Sequence, residues 1–587
     1  MTSGWGIEES KKLYNLNGSL KKRFFDIDRE GYLVLKLGKY NLRVYDLVAE
    51  YGLVGAYIRV LPFIREVMDL VYATYKEFLE KYKYRGDFIP VYPLKANSNK
   101  LVVDTIYRHG SRYRWGFNLN TLREVELIES YVDEEPRMIV VDGVKSRAIL
   151  EKLRIFAEKG WKVIVDIEGV RDAEILSDYS IFAVGLRLKY LSGGEGPWRE
   201  SVGLDSKFGL SLTTLFKVVA KYDWIYERAV LLHMHPGSQI HRFEEINGYF
   251  VEAANIYNEL KKAGFKNLEF IDFGGGLSYP YHESRLSTLE SPDYGLHEYA
   301  EAMVKALSDY SKDYPGIVFE SGRFITALHR IVVSKVLEVR PYDVYLDNDS
   351  ISVVAREAKG LESFEELEEW LQLKLGSINS TANKHVYGID ERIRVEKIYG
   401  SLNKVVPARI KSLSGSDPEK LVDVIEKHDA LLSYLTKPTH RFFTAFSVFS
   451  HIPDRAIVNQ YFQVVPLQRL NEQPEVLAVL SDLTCDSMGE YGDFISAISY
   501  VERPVFTKLD NKLIGLPGKT LRLPGIPLHI PRPGENYYVA FLDTGAYQDN
   551  LAMDHNSLGG YPEIVVDVVD GKLVVSLIED KAGGYNY

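Results

Sequence analysis

Lys95 ends the apolar run Val91-Tyr-Pro-Leu-Lys-Ala-Asn97. A lysine there is ordinarily a strand-end side chain that snorkels to water. In a partly dry cleft it loses basicity by desolvation, and a neutral amine is what a Schiff base with an aldehyde cofactor requires. Ile271-Asp-Phe-Gly-Gly-Gly276 sets Gly274, Gly275 and Gly276 in a row. Alone, such a run is more often a turn, but it also lets backbone N–H groups converge on a phosphate with no Cβ in the way. Glu320-Ser-Gly-Arg323 reads either as a mutual ion pair or as a phosphate-binding Arg323 beside an acid that holds a proton on a cofactor ring nitrogen. His233 and His235, at i and i+2 on a strand, point the same way, which leaves a metal pair open. No further ligand motif supports a metal, and the preferred reading packs His235 on a cofactor ring with Ser238 donating to the phosphate.

These residues need a scaffold that gathers them. Between Asp87 and Arg323, short β-branched runs alternate with stretches of helical period, the pattern of parallel βα units. The strands read as Phe88 to Lys95, Arg114 to Asn118, Met138 to Asp142, Val163 to Ile167, Phe182 to Leu188, Ala229 to His235, Leu268 to Phe273 and Ile317 to Glu320, with helices such as Thr121 to Tyr131 and Phe243 to Ala263 between them. Eight such units close into a barrel, and Lys95, Asn118, Asp142, Arg187, His235, Asp272 and Glu320 all fall near strand C-terminal ends, where barrel enzymes keep their chemistry. The loops after strands seven and eight form the usual phosphate corner of such barrels.

Outside the barrel, Tyr32 to Leu37, Asn41 to Leu47, Val476 to Leu483, Tyr537 to Leu542 and Ile564 to Leu577 read as strands, the last holding a hairpin turn at Asp570-Gly571. Residues from about 345 to 440 read as helical, with a capping box at Ser363 and Glu366 and an apolar face opened by Pro418 and carried by Leu421, Val424, Ile425, Leu431, Leu432 and Leu435. The expected fold is α/β plus all-β: a (β/α)8 TIM barrel over 48–340, a β-sandwich or β-barrel domain formed by both chain ends, 1–47 and 441–587, and an inserted helical subdomain over 341–440.

The chain has 587 residues, enough for two or three packed units, and 46% of them are hydrophobic against 26% charged, as in soluble globular proteins. A net charge of −11 argues against general affinity for nucleic acid or anionic membranes. No apolar stretch reaches the roughly 18 residues of a membrane span, and Met1 to Lys12 lacks the pattern of a secretory signal. The single cysteine, Cys485, excludes an internal disulfide and a multi-thiolate metal site and fits a reducing, cytoplasmic setting.

Taken in order, Phe24-Phe-Asp-Ile-Asp28, Tyr84-Arg-Gly-Asp87, Tyr92-Pro-Leu-Lys-Ala-Asn97, Ser206-Lys-Phe-Gly209, His235-Pro-Gly-Ser-Gln239, Glu320-Ser-Gly-Arg323, Leu483-Thr-Cys-Asp-Ser487 and Gly545-Ala-Tyr-Gln548 resemble the fold-type III pyridoxal-phosphate decarboxylases, and most closely the biosynthetic arginine branch, which shares the helical insertion. The resemblance covers nearly the whole chain. It implies that Lys95 carries pyridoxal 5′-phosphate, that His235 stacks on its ring, that Glu320 faces the ring nitrogen, and that Ser238, the glycine run, Arg323 and Tyr547 hold the phosphate. It also implies that Cys485 protonates the substrate carbon after CO2 leaves and that Asp486 meets the substrate's cationic end. A lone cysteine is by default a small hydrophobe, but here it follows a β run and precedes an acid. The implied activity is conversion of L-arginine to agmatine and CO2 at the start of a polyamine route leading to spermidine, by a homodimer with shared active sites. A higher oligomer and a need for Mg2+ stay open.

The sequence departs from that family at four positions: Asn118 stands where the family has an acid on strand two, Ala445 for an asparagine, Asn459 for an aspartate and Met488 for an aspartate. Lost carboxylates weaken recognition of a guanidinium, with Glu490 or Asp493 as candidate replacements. Ornithine, lysine, diaminopimelate or a carboxylated polyamine precursor therefore remain alternative substrates. A catalytically silent regulatory homologue is a further reading, against which the joint presence of Lys95, Glu320, Arg323 and Cys485 argues. An amino-acid racemase shares the barrel but uses a tyrosine in place of the Cys-Asp pair.

Overall fold

The structure, a computed structural model, describes residues 5–191, 202–311, 313–342, 346–415, 420, 423–424, 427–496, 505–509, 512–516 and 521–578. Eight parallel strands close a barrel: Phe88–Pro93, Gly116–Leu119, Met138–Val141, Lys162–Ile167, Ala183–Arg187, Ala229–His233, Phe270–Asp272 and Gly316–Glu320. The last pairs back onto the first, with Ile317 opposite Phe88 and Glu320 opposite Val91. Inside, Val91, Met138, Val140, Ile164, Leu231, Phe270 and Val318 form a closed apolar plug. Alternate residues point outward and pack under helices such as Phe243–Lys262, as the period of two along a strand requires.

The second unit is built on a ten-stranded mixed sheet. Its centre is the long strand Arg330–Pro341, whose first half pairs antiparallel with Gly55–Val60 on one edge and Tyr538–Phe541 on the other, and whose second half pairs antiparallel with His440–Thr444. Gly55–Val60 in turn lies parallel to Glu563–Val569, so both chain ends enter one sheet. This corrects the expected barrel limits of 48–340, because the segments at both margins bury their apolar faces in the sheet domain. The turn after Glu563–Val569 is the expected one: Asp570 and Gly571 have φ of 50° and 71°, the left-handed pair that a type I′ hairpin needs.

The N-terminal strands differ from expectation in two ways. Phe25–Ile27, Leu33–Leu37 and Tyr40–Arg43 form a separate three-stranded sheet. The run expected as one strand from Asn41 to Leu47 turns helical at Val44–Ala49, where Val44, Leu47 and Val48 are buried at helical spacing.

Between sheet strands lie the helices Asn348–Lys359, Phe364–Asn383, Ile389–Ser414 and Asp429–Leu435. Ser363 caps Phe364–Asn383 by accepting from the Glu366 N–H, but the Glu366 carboxylate accepts from Glu362 N–H instead, so the expected capping box is only half made. A complete box forms at Thr121 and Glu124, before Leu122–Ile128. Pro418, Leu421 and Ile425 lie outside the described residues; Val424, Leu431 and Leu435 are buried and Leu432 is half-buried. Among the described residues no helix is long and apolar enough to cross a membrane.

Candidate active site

The apolar plug also fixes where polar side chains face the barrel interior. Two residues after Val140, Ile164, Leu231, Phe270 and Val318 come Asp142, Asp166, His233, Asp272 and Glu320, and the period of two turns each toward the same axis, one layer nearer the C-terminal mouth. All five are buried. Arg187, at the end of its strand, donates through Nη1 to Asp142 and lies 3.4 Å from Glu168.

Lys95 stands above this layer in the single helical turn Leu94–Ala96 that follows the first barrel strand. The sheet domain clamps that turn. Tyr547 N–H donates to the Ala96 carbonyl at 2.6 Å, Asn550 Nδ2 to the Lys95 carbonyl at 3.1 Å, and Asn97 Nδ2 to the Gly545 carbonyl at 2.8 Å. Burial lowers the basicity of Lys95, as expected from the sequence, but the Asp142 and Glu320 charges outweigh it and raise the lysine above its ordinary value. The expectation of a neutral amine in this state is thus corrected: Asp142, after the third strand, and Glu320, on the eighth, favour its protonated form.

The acids themselves are driven apart. Burial works against charge on Asp142, yet Lys95 and Arg187 hold it well below the usual carboxylate range. For Asp272 burial outweighs the charge of nearby His233 and the hydrogen bond from Gly274 N–H, and the carboxyl is pushed up to about 6. Glu320, buried and facing Asp272, rises further above its ordinary value. His233 Nδ1 lies 2.6 Å from Asp166, and although burial opposes its charge, Asp272 and Asp166 push it up to about 9. His233, Asp272 and Glu320 place ligand-type atoms within 4.8 Å of one another.

His235 does not pair with His233; the ring centroids are 6.3 Å apart and tilted by 42°. Burial, then Lys95 and Arg187, pull His235 well below its ordinary value and keep it neutral. Gly237 N–H donates to its Nδ1 at 3.0 Å, so the ring proton sits on Nε2 and the Gly275 N–H 3.4 Å away is a close approach only.

Gly274 and Gly276 have φ of 62° and 94°, and a Cβ would lie 2.5 Å from His235 Cδ2 at the first and 2.9 Å from Pro236 Cγ at the second. Only glycine fits that cradle. Arg323 enters beside it from the short helix Gly322–Thr326, donating to Tyr281 Oη at 3.0 Å with its guanidinium 4.6 Å from the Tyr547 ring centroid. Ser238 is half-buried in the loop after the sixth strand.

The donor set fits pyridoxal phosphate. Glu320 Oε1 is buried with no hydrogen-bond partner among the described residues, as an acid awaiting a ring N–H would be. Gly274 to Gly276 and Arg323 stand on adjacent loops, backbone N–H groups and a guanidinium of the kind an anion requires. One barrel end thus gathers Lys95, Asn118, His235, Gly274, Gly275, Gly276, Glu320, Arg323 and, from the sheet domain, Tyr547. Asn118 is buried, with Nδ2 3.3 Å from Asp142 Oδ1.

Cys485 and Asp486 lie instead on the turn after the sheet strand Val476–Ser481. Cys485 is exposed, and Asp486 Oδ2 is 2.6 Å from His555 Nε2. The candidate replacement acids are both engaged: Glu490 pairs with Arg441 at 2.7 Å, and Asp493 with Arg455 at 2.8 Å and with Arg522. Ala445 is buried, Asn459 takes a left-handed φ of 54°, and Met488 is half exposed. Sequence reasoning missed Asp166, Glu168 and Asn120; a lone acid inside the β-branched run Val163 to Ile167 was the available signal for Asp166.

Residues 68–327 match the family model of the pyridoxal-dependent decarboxylase pyridoxal-binding domain. The chain is 27% identical to a protein named biosynthetic arginine decarboxylase from Bacteroides thetaiotaomicron, over 98% of this chain and 92% of that one. The crystal structure of a biosynthetic arginine decarboxylase from Campylobacter jejuni superposes with a TM-score of 0.74 at 25% identity, covering 96% of this chain and 90% of the other. A diaminopimelate decarboxylase from Helicobacter pylori, complexed with L-lysine, shares the fold with a TM-score of 0.53 at 14% identity, covering 90% and 95%.

Proposed function

We propose that this chain is a pyridoxal-dependent decarboxylase that removes the α-carboxylate of L-arginine to give agmatine and CO2. The observation that carries the decarboxylase reading is the meeting of Lys95, His235, the glycine cradle, Glu320 and Arg323 at one barrel mouth. The arginine assignment rests on likeness over 98% of the chain to proteins of that name.

When bound, pyridoxal phosphate supplies an electron sink for the pair left behind as CO2 departs. Lys95 would anchor it by its amine, and Arg323 with the Gly274 to Gly276 N–H groups and Ser238 would hold its phosphate. Glu320 would hold a proton at the ring nitrogen, where positive charge strengthens the sink. Neutral His235 would face the ring without opposing that charge. Asp142 and Arg187 fix each other below Lys95 and set its charge. Tyr547 ties the phosphate corner to the sheet domain through its N–H, which donates to the Ala96 carbonyl.

Protonation of the substrate carbon falls to Cys485 of the partner subunit in a homodimer, with Asp486 beside it at the substrate's far end. A cytoplasmic setting and a place in polyamine synthesis, toward spermidine, accompany this reading; a Mg2+ requirement and a larger assembly are open to the same assays. One observation favours a second substrate: Glu490 and Asp493 already serve arginines of the chain itself, so a guanidinium finds fewer carboxylates than the family pattern offers. Incubating the purified holoenzyme with arginine, ornithine, lysine and diaminopimelate, while CO2 and amines are measured, separates the readings. Agmatine from arginine is the expected product. Faster turnover of another amino acid replaces the substrate assignment, and no CO2 from any defeats the enzyme reading.

A further inference from the structure

The period of two that lifts acids to one mouth also carries side chains to the other. Arg114 and Lys162 stand two residues before Gly116 and Ile164, at the N-terminal end of the barrel. There a cavity of about 530 Å3 is lined by Lys76, Arg112, Arg114, Arg137 and Lys162, with Asp87 as the lining acid. Lys76 and Lys162 have carboxylate neighbours, Glu80 at 4.0 Å and Glu269 at 2.9 Å. Arg112, Arg114 and Arg137 form no ion pair among the described residues. In a chain of net charge −11, such a local excess of cations stands out against the rest of the surface.

Arg137 is the unusual member. Only 5% exposed, it donates through Nη1 to the Tyr107 and Trp115 carbonyls at 2.7 and 3.2 Å, and its guanidinium lies 3.7 Å from the Tyr107 ring centroid. Its buried Nε has no partner among the described residues. Burial lowers its basicity, and Tyr107, Glu135 and Glu134 restore only part of the loss. A buried guanidinium is ordinarily paired, because desolvating an uncompensated charge is costly. Arg112 and Arg114 reach the same cavity from the exposed turn beneath the second strand.

We propose that this cavity is a second binding site, for an oxyanion-bearing small molecule, with Arg137 as its buried anchor and Arg112 and Arg114 as its outer arms. The site is separate from the phosphate corner, which lies at the opposite end of the same strands. Phosphate and carboxylate groups share the required chemistry, since both accept the paired N–H donors of a guanidinium. The test is calorimetric titration of the holoenzyme, freed of excess cofactor so that its own phosphate corner is filled, with inorganic phosphate, pyrophosphate and citrate. Saturable binding of at least one probe is expected, and a preference between pyrophosphate and citrate tells the phosphate source from the carboxylate one. Arg114→Gln, an exposed change that breaks no hydrogen bond of the fold, should weaken that binding by about tenfold, the value of one charge-assisted contact. Arg137→Gln should abolish it. Absence of saturable binding by any probe, or equal affinity in wild type and Arg114→Gln, overturns the site.

Discussion

Glu320 and His233 share one buried layer and answer it in opposite ways. Both rise above their ordinary values, Glu320 because burial and Asp272 disfavour its charge, His233 because Asp272 and Asp166 reward its proton. In the proposed role, Glu320 must keep a proton at the cofactor ring, and a neutral amide cannot. Glu320→Gln should therefore retain cofactor absorbance while turnover falls by at least about a hundredfold. Unchanged turnover removes Glu320 from that role. Lys95→Ala should lose activity and the borohydride-reducible adduct together; an adduct at another lysine shifts the anchor elsewhere. For His233 the folded value of about 9 lies above the ordinary 6.5, so its stabilisation is full below pH 6.5 and is lost as pH rises through 9. That shift corresponds to something on the order of 3 kcal/mol. His233→Gln should accordingly lower the thermal midpoint of the cofactor-free protein more at about pH 6 than at about pH 10. An equal loss at both ends would mean that the Asp166 contact is not ionic.

At the scale of elements, the loop after the seventh barrel strand carries the tightest constraint. Gly274 takes a left-handed φ with no room for a Cβ beside His235. An alanine there costs about 1 kcal/mol in backbone conformation alone, and the clash must also displace the imidazole. Gly274→Ala should weaken pyridoxal phosphate binding by about tenfold or more in an absorbance titration, while far-ultraviolet circular dichroism stays as in wild type. Unaltered affinity would place the phosphate on other loops. The eight strand runs were legible because inward and outward residues alternate and because Gly and short polar stretches separate them. The Asn41 to Leu47 run misled because the apolar residues Leu42, Val44, Tyr45 and Leu47 suit either element over so short a stretch, while its helix is selected by burial of Val44, Leu47 and Val48 on one side.

Across the whole molecule, the two halves of the proposed chemistry sit on different units. Lys95 and the phosphate cradle belong to the barrel, whereas Cys485 is exposed on the sheet domain. Two-fold pairing that sets each sheet domain against the other barrel makes two equivalent composite sites. Mixing inactive Lys95→Ala protein with inactive Cys485→Ala protein should then restore activity as subunits exchange, up to roughly a quarter of wild type, since each mixed dimer holds one intact site. Proven exchange without recovery would return Cys485 to its own chain's pocket or remove it from the reaction.

By itself the sequence determined the barrel, its eight strands and the residues at their C-terminal ends, because strand period and turn chemistry are local properties that the chain carries along its length. It also specified the glycine cradle, whose φ values only glycine adopts without strain. Tertiary structure alone decided the charge states and the boundaries. Lys95 keeps its proton because Asp142 and Glu320, tens to hundreds of residues away along the chain, converge on it; Glu490 and Asp493 are withdrawn from substrate recognition by Arg441, Arg455 and Arg522. Gly55–Val60 joins the sheet because Arg330–Pro341 and Glu563–Val569 return on either side of it. Electrostatic and pairing energies depend on distance in space, and closure of the barrel and sheet sets those distances.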